Sequence, residues 1–477
     1  MQMIINSKPC DASDKTVVKI INPYNGKVID TVPDATEKDI DKAVKYAKTA
    51  FKTWKDVSIY KKVEIMNKFM DLVDENKKDL AKTLCAETGK PITQALAEID
   101  NVRIGFTAFC EKAKHLYGNV VPVGTEKGQD SNLQMTLREP LGVIGCIIPF
   151  NFPCDLFDQK VAPSLLAGNT VIVKPPHQNP LTLVKLTQLL NQAGLPKGVL
   201  QVVTGQGAKS GNALAKHEDV NAITFTGSTK VGKLTYANCA EHLAHCALEL
   251  GGNDAFIVCE DADIDLSIEE MVWGRMYNTG QVCCASKRFL IQKSIVDNWV
   301  KKAKARLSKL VVGNPADAKT EIGCLVTEQA AIRVEEQIAE VVAEGGKIVL
   351  GGKRNGAFIE PTIITNIPKT AKVAIDEEIF APVVSVIPFD TIEEAIEIAN
   401  QSSYGLSGCV FTKDINKAFK VVKQLECGGT VINGASFHRS FEMPFGGYKN
   451  SGIGTEGVMS TFDAVTKTKT ITLKNIF

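Results

Sequence analysis

The residues best suited to covalent chemistry sit in one stretch, Asn278-Thr279-Gly280-Gln281-Val282-Cys283-Cys284-Ala285-Ser286-Lys287-Arg288. Two adjacent thiols follow a glycine. Only a thiolate is a strong nucleophile, and a free cysteine has a pKa of about 8.5, so a working cysteine needs help from its surroundings. Cys283 can present its sulfur and its own amide N–H to one carbonyl, and Gly280 permits close backbone approach. Most cysteines are simply small buried apolar side chains, so this stretch does not decide the matter by itself.

Other positions offer complementary chemistry. Asn151, within Pro149-Phe150-Asn151-Phe152-Pro153, is an amide donor pinned between prolines. Such a donor suits a carbonyl oxygen that becomes an oxyanion, although asparagine is also an ordinary turn residue. Lys174, in Lys174-Pro175-Pro176-His177, can reach phosphate or ribose hydroxyls from a strand end, or can simply be solvated. Gly205-Gln206-Gly207-Ala208-Lys209-Ser210-Gly211 resembles a dinucleotide fingerprint but has one residue too many. Phe225-Thr226-Gly227-Ser228-Thr229-Lys230-Val231-Gly232 places free amides and a hydroxyl at a helix start, which is an anion site or merely a capped helix. Glu249, before Leu250-Gly251-Gly252-Asn253, is a general base or a surface acid.

These residues need elements to hold them. Apolar runs at 142–148, 170–174, 200–204 and 222–226 alternate with helical patterns at 157–167, 180–193 and 208–217. Runs of this kind read as strands buried on both faces of a parallel sheet, with ligands at the carboxyl ends. Upstream, Thr36 caps a helix whose apolar face is Ile40, Ala43, Val44, Ala47 and Phe51, and two more helices follow near 58–86 and 92–116. Residues 119–140 read as an extended arm. A second α/β block spans about 252–445, with helical patterns at 264–277, 294–309, 328–344, 391–400 and 414–425 and strand-like runs at 288–292, 383–389, 407–412 and 429–433. The tail from Thr466 to Lys474 alternates β-formers with lysines and reads as an edge strand seeking cover.

The chain has 477 residues, room for two or three domains. Its net charge of +1 is spread along the chain, which excludes a nucleic-acid footprint and a polybasic membrane surface. No run approaches the roughly 20 apolar residues that span a bilayer, and the first residues do not read as a signal peptide. Thirteen scattered cysteines point to free thiols in a reducing cytoplasm.

Taken in order, the Asn151 segment, Lys174, Gly227-Ser228-Thr229, Glu249-Leu250-Gly251-Gly252 and Gly280-Gln281-Val282-Cys283 resemble the aldehyde dehydrogenase superfamily. Glu378-Ile379-Phe380-Ala381-Pro382-Val383 and Pro444-Phe445-Gly446-Gly447-Tyr448-Lys449-Asn450-Ser451-Gly452 agree, and the resemblance covers nearly the whole chain. It implies an α/β fold with three parts: a Rossmann-like dinucleotide-binding domain (1–118 and 141–250), a second α/β catalytic domain (251–445) and a small β oligomerisation arm (119–140 and 456–477). It implies Cys283 as nucleophile, Asn151 with the Cys283 amide as oxyanion donors, and Glu249 as the base that hydrolyses the thioester. The cofactor, NAD or NADP, falls to Lys174, Ser228, Gly207, Gly211, Gly227 and Gly232, with Ile147, Pro149, Phe225, Val231 and Leu250 around them. Glu378 and Phe380 fall beside the nicotinamide ribose. His177 stands where many members carry glutamate, which removes a repulsion toward the 2′-phosphate of NADP, and Ala381 replaces a usual glycine.

For the substrate, Arg439 before Met443-Pro444-Phe445 resembles the lactaldehyde and non-phosphorylating glyceraldehyde-3-phosphate dehydrogenase branch. Arg103 and Arg439 are candidates to grip it, or are structural ion pairs. Phe152 and Val282 replace polar contacts of the phosphate-binding members, which favours a small hydroxyaldehyde such as lactaldehyde over the phosphorylated triose. Two other classes compete: a cysteine hydrolase pairing Cys283 with His438, and a non-enzymatic binding protein. The hydrolase leaves Lys174 and Gly227-Ser228 unexplained, and the intact set of Cys283, Glu249 and Asn151 argues against the binding protein. Cys239, His242, His245 and Cys246 have metal-ligand types but match no zinc spacing, and no metal is expected. The partners expected are a small aldehyde and further copies of the chain, as dimer or tetramer, through the arm and tail.

Overall fold

The computed structural model describes residues 1–476. The amino-terminal part holds strands β1 (Met3–Ile5), β2 (Lys8–Cys10), β3 (Val17–Ile21) and β4 (Val28–Pro33). Helices α1 (Glu37–Trp54), α2 (Ile59–Thr88) and α3 (Ile92–Ala113) follow. Thr36 and Asp39 form a reciprocal capping box at the start of α1, a device worth about 1 kcal/mol. β5 (Val120–Val121) and β6 (Leu133–Pro140) leave the body as an arm. The chain then returns as β7 (Val143–Ile147), α4 (Pro153–Leu166), β8 (Thr170–Lys174), α5 (Leu181–Gln192), β9 (Leu200–Val202), α6 (Asn212–Lys216), β10 (Ala222–Thr226), α7 (Thr229–Ala240) and β11 (His245–Glu249).

The strand order in the first sheet is β2-β1-β9-β8-β7-β10-β11, closed by Gly452–Ile453. Its five central strands run parallel, and β7, β8 and β10 are buried almost throughout. That burial explains their unbroken apolar character. Right-handed crossovers bring the carboxyl ends of parallel strands to one edge. Ile147, Lys174, Thr226 and Glu249, the last residues of four of these strands, therefore share it.

A second sheet has seven strands, in the order Lys347–Leu350, Thr362–Thr365, Val383–Phe389, Ser286–Gln292, Asp254–Val258, Ser407–Phe411 and Gly429–Ile432. All but the first pair in parallel. Only Leu250-Gly251-Gly252-Asn253 connects the carboxyl end of β11 to the amino end of Asp254–Val258. The linker therefore joins the carboxyl edge of the first sheet to the amino edge of the second. Cys283 lies just before the strand that begins at Ser286, and Glu378 just before the one that begins at Val383.

The tail strand Thr466–Leu473 runs antiparallel to β6 over eight residues and forms the outer edge of a three-stranded sheet with β5. The stretch before it departs from the sequence reading, which gave 456–477 to the arm. Val458–Ala464 is a helix whose Val458 and Phe462 are buried in the main core with Phe106 and Phe109. Among the described residues no helix is long and apolar enough to cross a membrane.

Candidate active site

The helix Ile264–Met276 ends in a kinked turn, Tyr277–Gly280, where Asn278, Thr279 and Gly280 have φ of 48°, 55° and 76°. Three successive left-handed residues reverse the chain and lift Gln281-Val282-Cys283 toward the cleft. Gly280 is required twice over. Its φ favours glycine, and a Cβ there would fall 2.3 Å from the backbone of Ala381.

Cys283 is half-buried, and its pKa falls from the ordinary 9.0 to about 7. The largest cause is a hydrogen bond from the neighbouring Cys284 thiol. Burial opposes the shift, and Lys287 and Arg439 assist it. Lys287 is buried, donates to the carbonyl of Cys283 at 2.5 Å and pairs with Glu378 Oε1 at 3.2 Å. Cys284 moves the other way: its hydrogen bond to Cys283, and then burial, raise it well above a thiol's usual range. The Cys283 thiol is thus poised to be ionised near neutrality. No histidine hydrogen-bonds it among the described residues. His438, the partner a cysteine hydrolase would need, is exposed and rests against Trp273, with ring centroids 6.1 Å apart.

Asn151 is buried between the first sheet's edge and this turn. Its Nδ2 donates to the carbonyl of Gln281 at 3.1 Å, and its own carbonyl accepts from Asn278 Nδ2 at 2.9 Å. The amide is therefore aimed at the segment that carries the nucleophile. Glu249 is 5% exposed, and both of its carboxylate oxygens are buried without a partner. Burial pushes its pKa well above the ordinary 4.5, and the charge of Glu456 adds to this, while Lys160 and Arg439 oppose it. Lys160 and Glu456 form a buried ion pair behind it. A carboxyl held in this way takes up a proton readily, as a general base must.

The same edge fits a dinucleotide. Lys174 is buried at the end of β8, donates only to the carbonyl of Pro175 at 2.7 Å, and is pushed down to about 7 by burial. A cation so poorly solvated and partnered favours an anionic neighbour. Ser228 is the first residue of the α7 cap, yet its hydroxyl makes no capping bond and is exposed. The first amides of α7 are thus free for phosphate. A Cβ on Gly207 or Gly211 would meet nothing, so the space in front of them is open. Thr226 Oγ1 is buried and unpaired. Gly227 and Gly232 are glycines for packing reasons instead, because added Cβ atoms would strike the Phe225 ring and the Leu250 side chain. Ile147 and Pro149 are half-buried beside Asn151, and Val231 is 46% exposed on the first turn of α7. Glu378 Oε1 accepts from the amide of Gly252 at 3.2 Å, and Phe380 packs edge-on to Phe150. His177 reaches solvent, but burial and Lys174 lower its pKa, with Asp34 opposing. The ring is uncharged at neutral pH, so the attraction to a 2′-phosphate expected of a protonated imidazole is absent there.

A cavity of about 310 Å³ opens on Cys283 and is walled by Phe152, Trp273, Phe437 and Phe441, with Asn101, Asp155, Gln159 and Arg439 at its polar side. Arg439 stacks 4.1 Å over the ring of Phe445 and donates to Gln159 Oε1. It forms no ion pair among the described residues. The nearest acids do not neutralise it: burial pushes Asp155 up to about 8 and Asp158 well above the carboxylate range. Arg103 is not brought to this cavity. It pairs on the surface with Asp71 and Asp74, both at 2.7 Å, while Asn101, two residues earlier on α3, lines the cavity instead. Lys287, Asn278, Asp155, Trp273 and the Lys160–Glu456 pair are site residues that sequence reasoning did not assign. Lys287 and Asn278 had a local signal, their place in the cysteine stretch. Among the described residues no three His, Cys, Asp or Glu side chains gather as a metal site. Cys239 and Cys246 instead hydrogen-bond to each other.

A sequence model of the aldehyde dehydrogenase family matches residues 10–471. A 3-sulfolactaldehyde dehydrogenase of Priestia megaterium is 39% identical over 96% of this chain and 94% of its own length. A lactaldehyde dehydrogenase of Methanococcus aeolicus is 35% identical over 98% of this chain and 99% of its own. The crystal structure of a Staphylococcus aureus betaine aldehyde dehydrogenase in complex with NAD+ superposes with a TM-score of 0.95, covering 99% of this chain and 95% of that one at 33% identity.

Proposed function

The chain belongs to the aldehyde dehydrogenase family and is an NAD(P)-dependent oxidoreductase; from that premise we propose that it oxidises a small 2-hydroxyaldehyde of the lactaldehyde type to the acid through a thioester on Cys283. The observation that carries this reading is the nucleophile's setting. Cys283 is held near a pKa of 7 beside a buried amide donor, Asn151, and a buried unpartnered carboxyl, Glu249.

The Cys283 thiolate attacks the aldehyde carbon. Asn151 Nδ2 and the Cys283 amide receive the oxyanion, and losing one such donor costs about 10²–10³ in rate. NAD(P), held by Lys174, the α7 amides, Ser228 and Glu378, supplies the hydride acceptor when bound. Glu249 then takes a proton from water as that water attacks the thioester, releasing the acid and restoring the thiolate. Covalent catalysis thereby divides one oxidation into two easier steps. Because burial favours the protonated form of Glu249, the carboxyl must lose its own proton before it can accept one from water.

The substrate reading rests on the polar side of the cavity. About 310 Å³ suits a molecule of a few carbons. Asp155 has an unpaired buried oxygen that can serve a substrate hydroxyl. Arg439, with neutral acids around it, leaves one uncompensated positive charge, which favours hydroxyaldehydes that carry a sulfonate, carboxylate or phosphate on the far carbon. The relatives named above act, by their names, on lactaldehyde and on its sulfonated form. The test compares kcat/KM for lactaldehyde, sulfolactaldehyde, glyceraldehyde 3-phosphate and propanal in wild type, Cys283→Ala and Arg439→Met. Cys283→Ala should reduce no cofactor with any of them. Arg439→Met should lose about 10–100-fold with the anionic aldehydes, the worth of about 1.5–3 kcal/mol for a charge-assisted bond, and little with propanal. Equal losses on all four would make Arg439 structural.

A further inference from the structure

We infer that Lys90, through its ion pair with Glu98, is a positioning residue for the oxyanion-binding amide of Asn151, an assignment that rests on the covalent mechanism above. Lys90 is 0% exposed and Glu98 1%, and the two form an ion pair inside the protein. Lys90 is the residue between Gly89, which ends α2, and Pro91, which precedes α3, whereas Glu98 lies on α3. Neither is near the cysteine stretch in sequence.

The pair reaches the catalytic loop at three successive points. Lys90 Nζ donates to the carbonyl of Asn151 at 2.9 Å. The same ammonium lies 4.1 Å from the ring centroid of Phe152. Glu98 Oε1 accepts the amide of Cys154 at 2.9 Å, at the start of α4. Asn151, Phe152 and Cys154 are thus tied to one buried charge pair. Asn278 supplies the second donor to the Asn151 carbonyl, so the residue's main chain is fixed from both sides, and its side-chain amide is held in turn by the carbonyl of Gln281.

A buried ion pair is a poor way to gain stability, since desolvation offsets most of its attraction. Holding a donor to a fraction of an ångström is a better use of it. An oxyanion donor works only at about 2.7–3.1 Å from the oxygen it must stabilise, and a misplacement of about 1 Å can cost about 10²-fold. Lys90 makes no contact with the cavity's reacting atoms, so its effect passes through Asn151.

A double-mutant cycle on the full-length protein tests this. Lys90→Met alone leaves Glu98 unpaired and can unfold the chain, so Lys90→Met/Glu98→Gln is made alongside it, and thermal melts establish which variants are folded. The acylation rate is read as the single-turnover burst of reduced cofactor with saturating NAD(P). The expected result is a loss of about 10–100-fold in the acylation rate of the folded charge-free variant, with the cofactor KM unchanged. In an Asn151→Ala background the same pair of changes should cost less than about threefold, because the donor they position is gone. An equal loss in both backgrounds overturns the inference and makes the pair purely structural, as does a wild-type burst in the charge-free variant. If Asn151→Ala by itself leaves the burst unchanged, the oxyanion role of Asn151 falls, and this inference falls with it. A Cys283→Ala control that still gives a burst would fail the covalent mechanism separately.

Discussion

Replacing Cys284 by alanine isolates what makes Cys283 reactive. The Cys284 thiol is the first cause of the fall from 9.0 to about 7, ahead of Lys287 and Arg439. Removing it leaves the main chain in place, since Ser436 Oγ bonds the Cys284 carbonyl and not the sulfur. If Cys283 returns to its ordinary value, the thiolate fraction at about pH 7 drops from about one half to about one hundredth. The more basic thiolate is also a better nucleophile. With a Brønsted slope of about 0.4–0.5, two units restore about eightfold. The product is a loss of about sixfold at about pH 7, a crossing near about pH 8, and a gain approaching eightfold by about pH 10. The assay is the rate of Cys283 alkylation by iodoacetamide across that range, with the modified residue located by mass spectrometry. An alkylation midpoint unchanged from wild type would refute the argument, and so would a variant slower at every pH.

Four further outcomes follow from the structure. Glu249→Gln should keep the burst of reduced cofactor but slow the steady state by about 10²–10⁴-fold, the usual worth of a general base. In wild type the deacylation rate should climb as pH rises above neutrality, since burial holds the Glu249 proton on; a pH-independent deacylation step would contradict that. Glu87→Ala should lower the urea midpoint at a cost of about 2–6 kcal/mol, because the Glu87 carboxyl group accepts the buried amides of Leu181 and Thr182 at the start of α5 and each of the two orphaned donors costs about 1–3. His177→Glu should cut kcat/KM for NADP by about tenfold or more through repulsion of the 2′-phosphate while leaving NAD within about threefold, a split readable from cofactor titrations at fixed aldehyde.

Much of the fold could be read because strands buried on both faces have nowhere to hide polar residues. Thr170–Lys174 and Ala222–Thr226 begin and end where their apolar runs do. Asp254–Val258 is equally buried, but it follows a glycine-rich linker and opens on an acid, and the sequence reading did not include it among the strands. Val458–Ala464 was hidden differently. It is seven residues long, starts after Gly457 at φ 127°, and precedes a strongly alternating strand, so it reads as part of that strand's approach. Arg103 shows the limit of reasoning from side-chain type. Helical geometry separates i and i+2 by about 200°, onto different faces, so Asn101 turns to the cavity while Arg103 turns to Asp71 and Asp74. Periodicity places a helix but not its rotation about its axis.

The same distinction explains why Cys283, Glu249 and Asn151, the residues we propose as nucleophile, base and oxyanion donor, stand out in the sequence while the charge around them does not. Each of the three lies within a few residues of a strand end, at the junction of the two sheets' facing edges, and local sequence carries that signal. Charge depends on burial. Asp155 and Asp158 look like two anions placed beside Arg439, and counted as ionised they would make the cavity acidic and suited to a cationic aldehyde. Burial pushes Asp155 to about 8 and raises Asp158 well above the ordinary carboxylate value, so the neutral form of each is favoured and Arg439 sets the sign. That sign has a pH limit. As pH rises past about 8, Asp155 ionises, the positive charge is offset, and preference for an anionic aldehyde over propanal should shrink. An anionic preference that stays constant from about pH 6.5 to about pH 9 would place the recognition outside the Asp155–Arg439 pair.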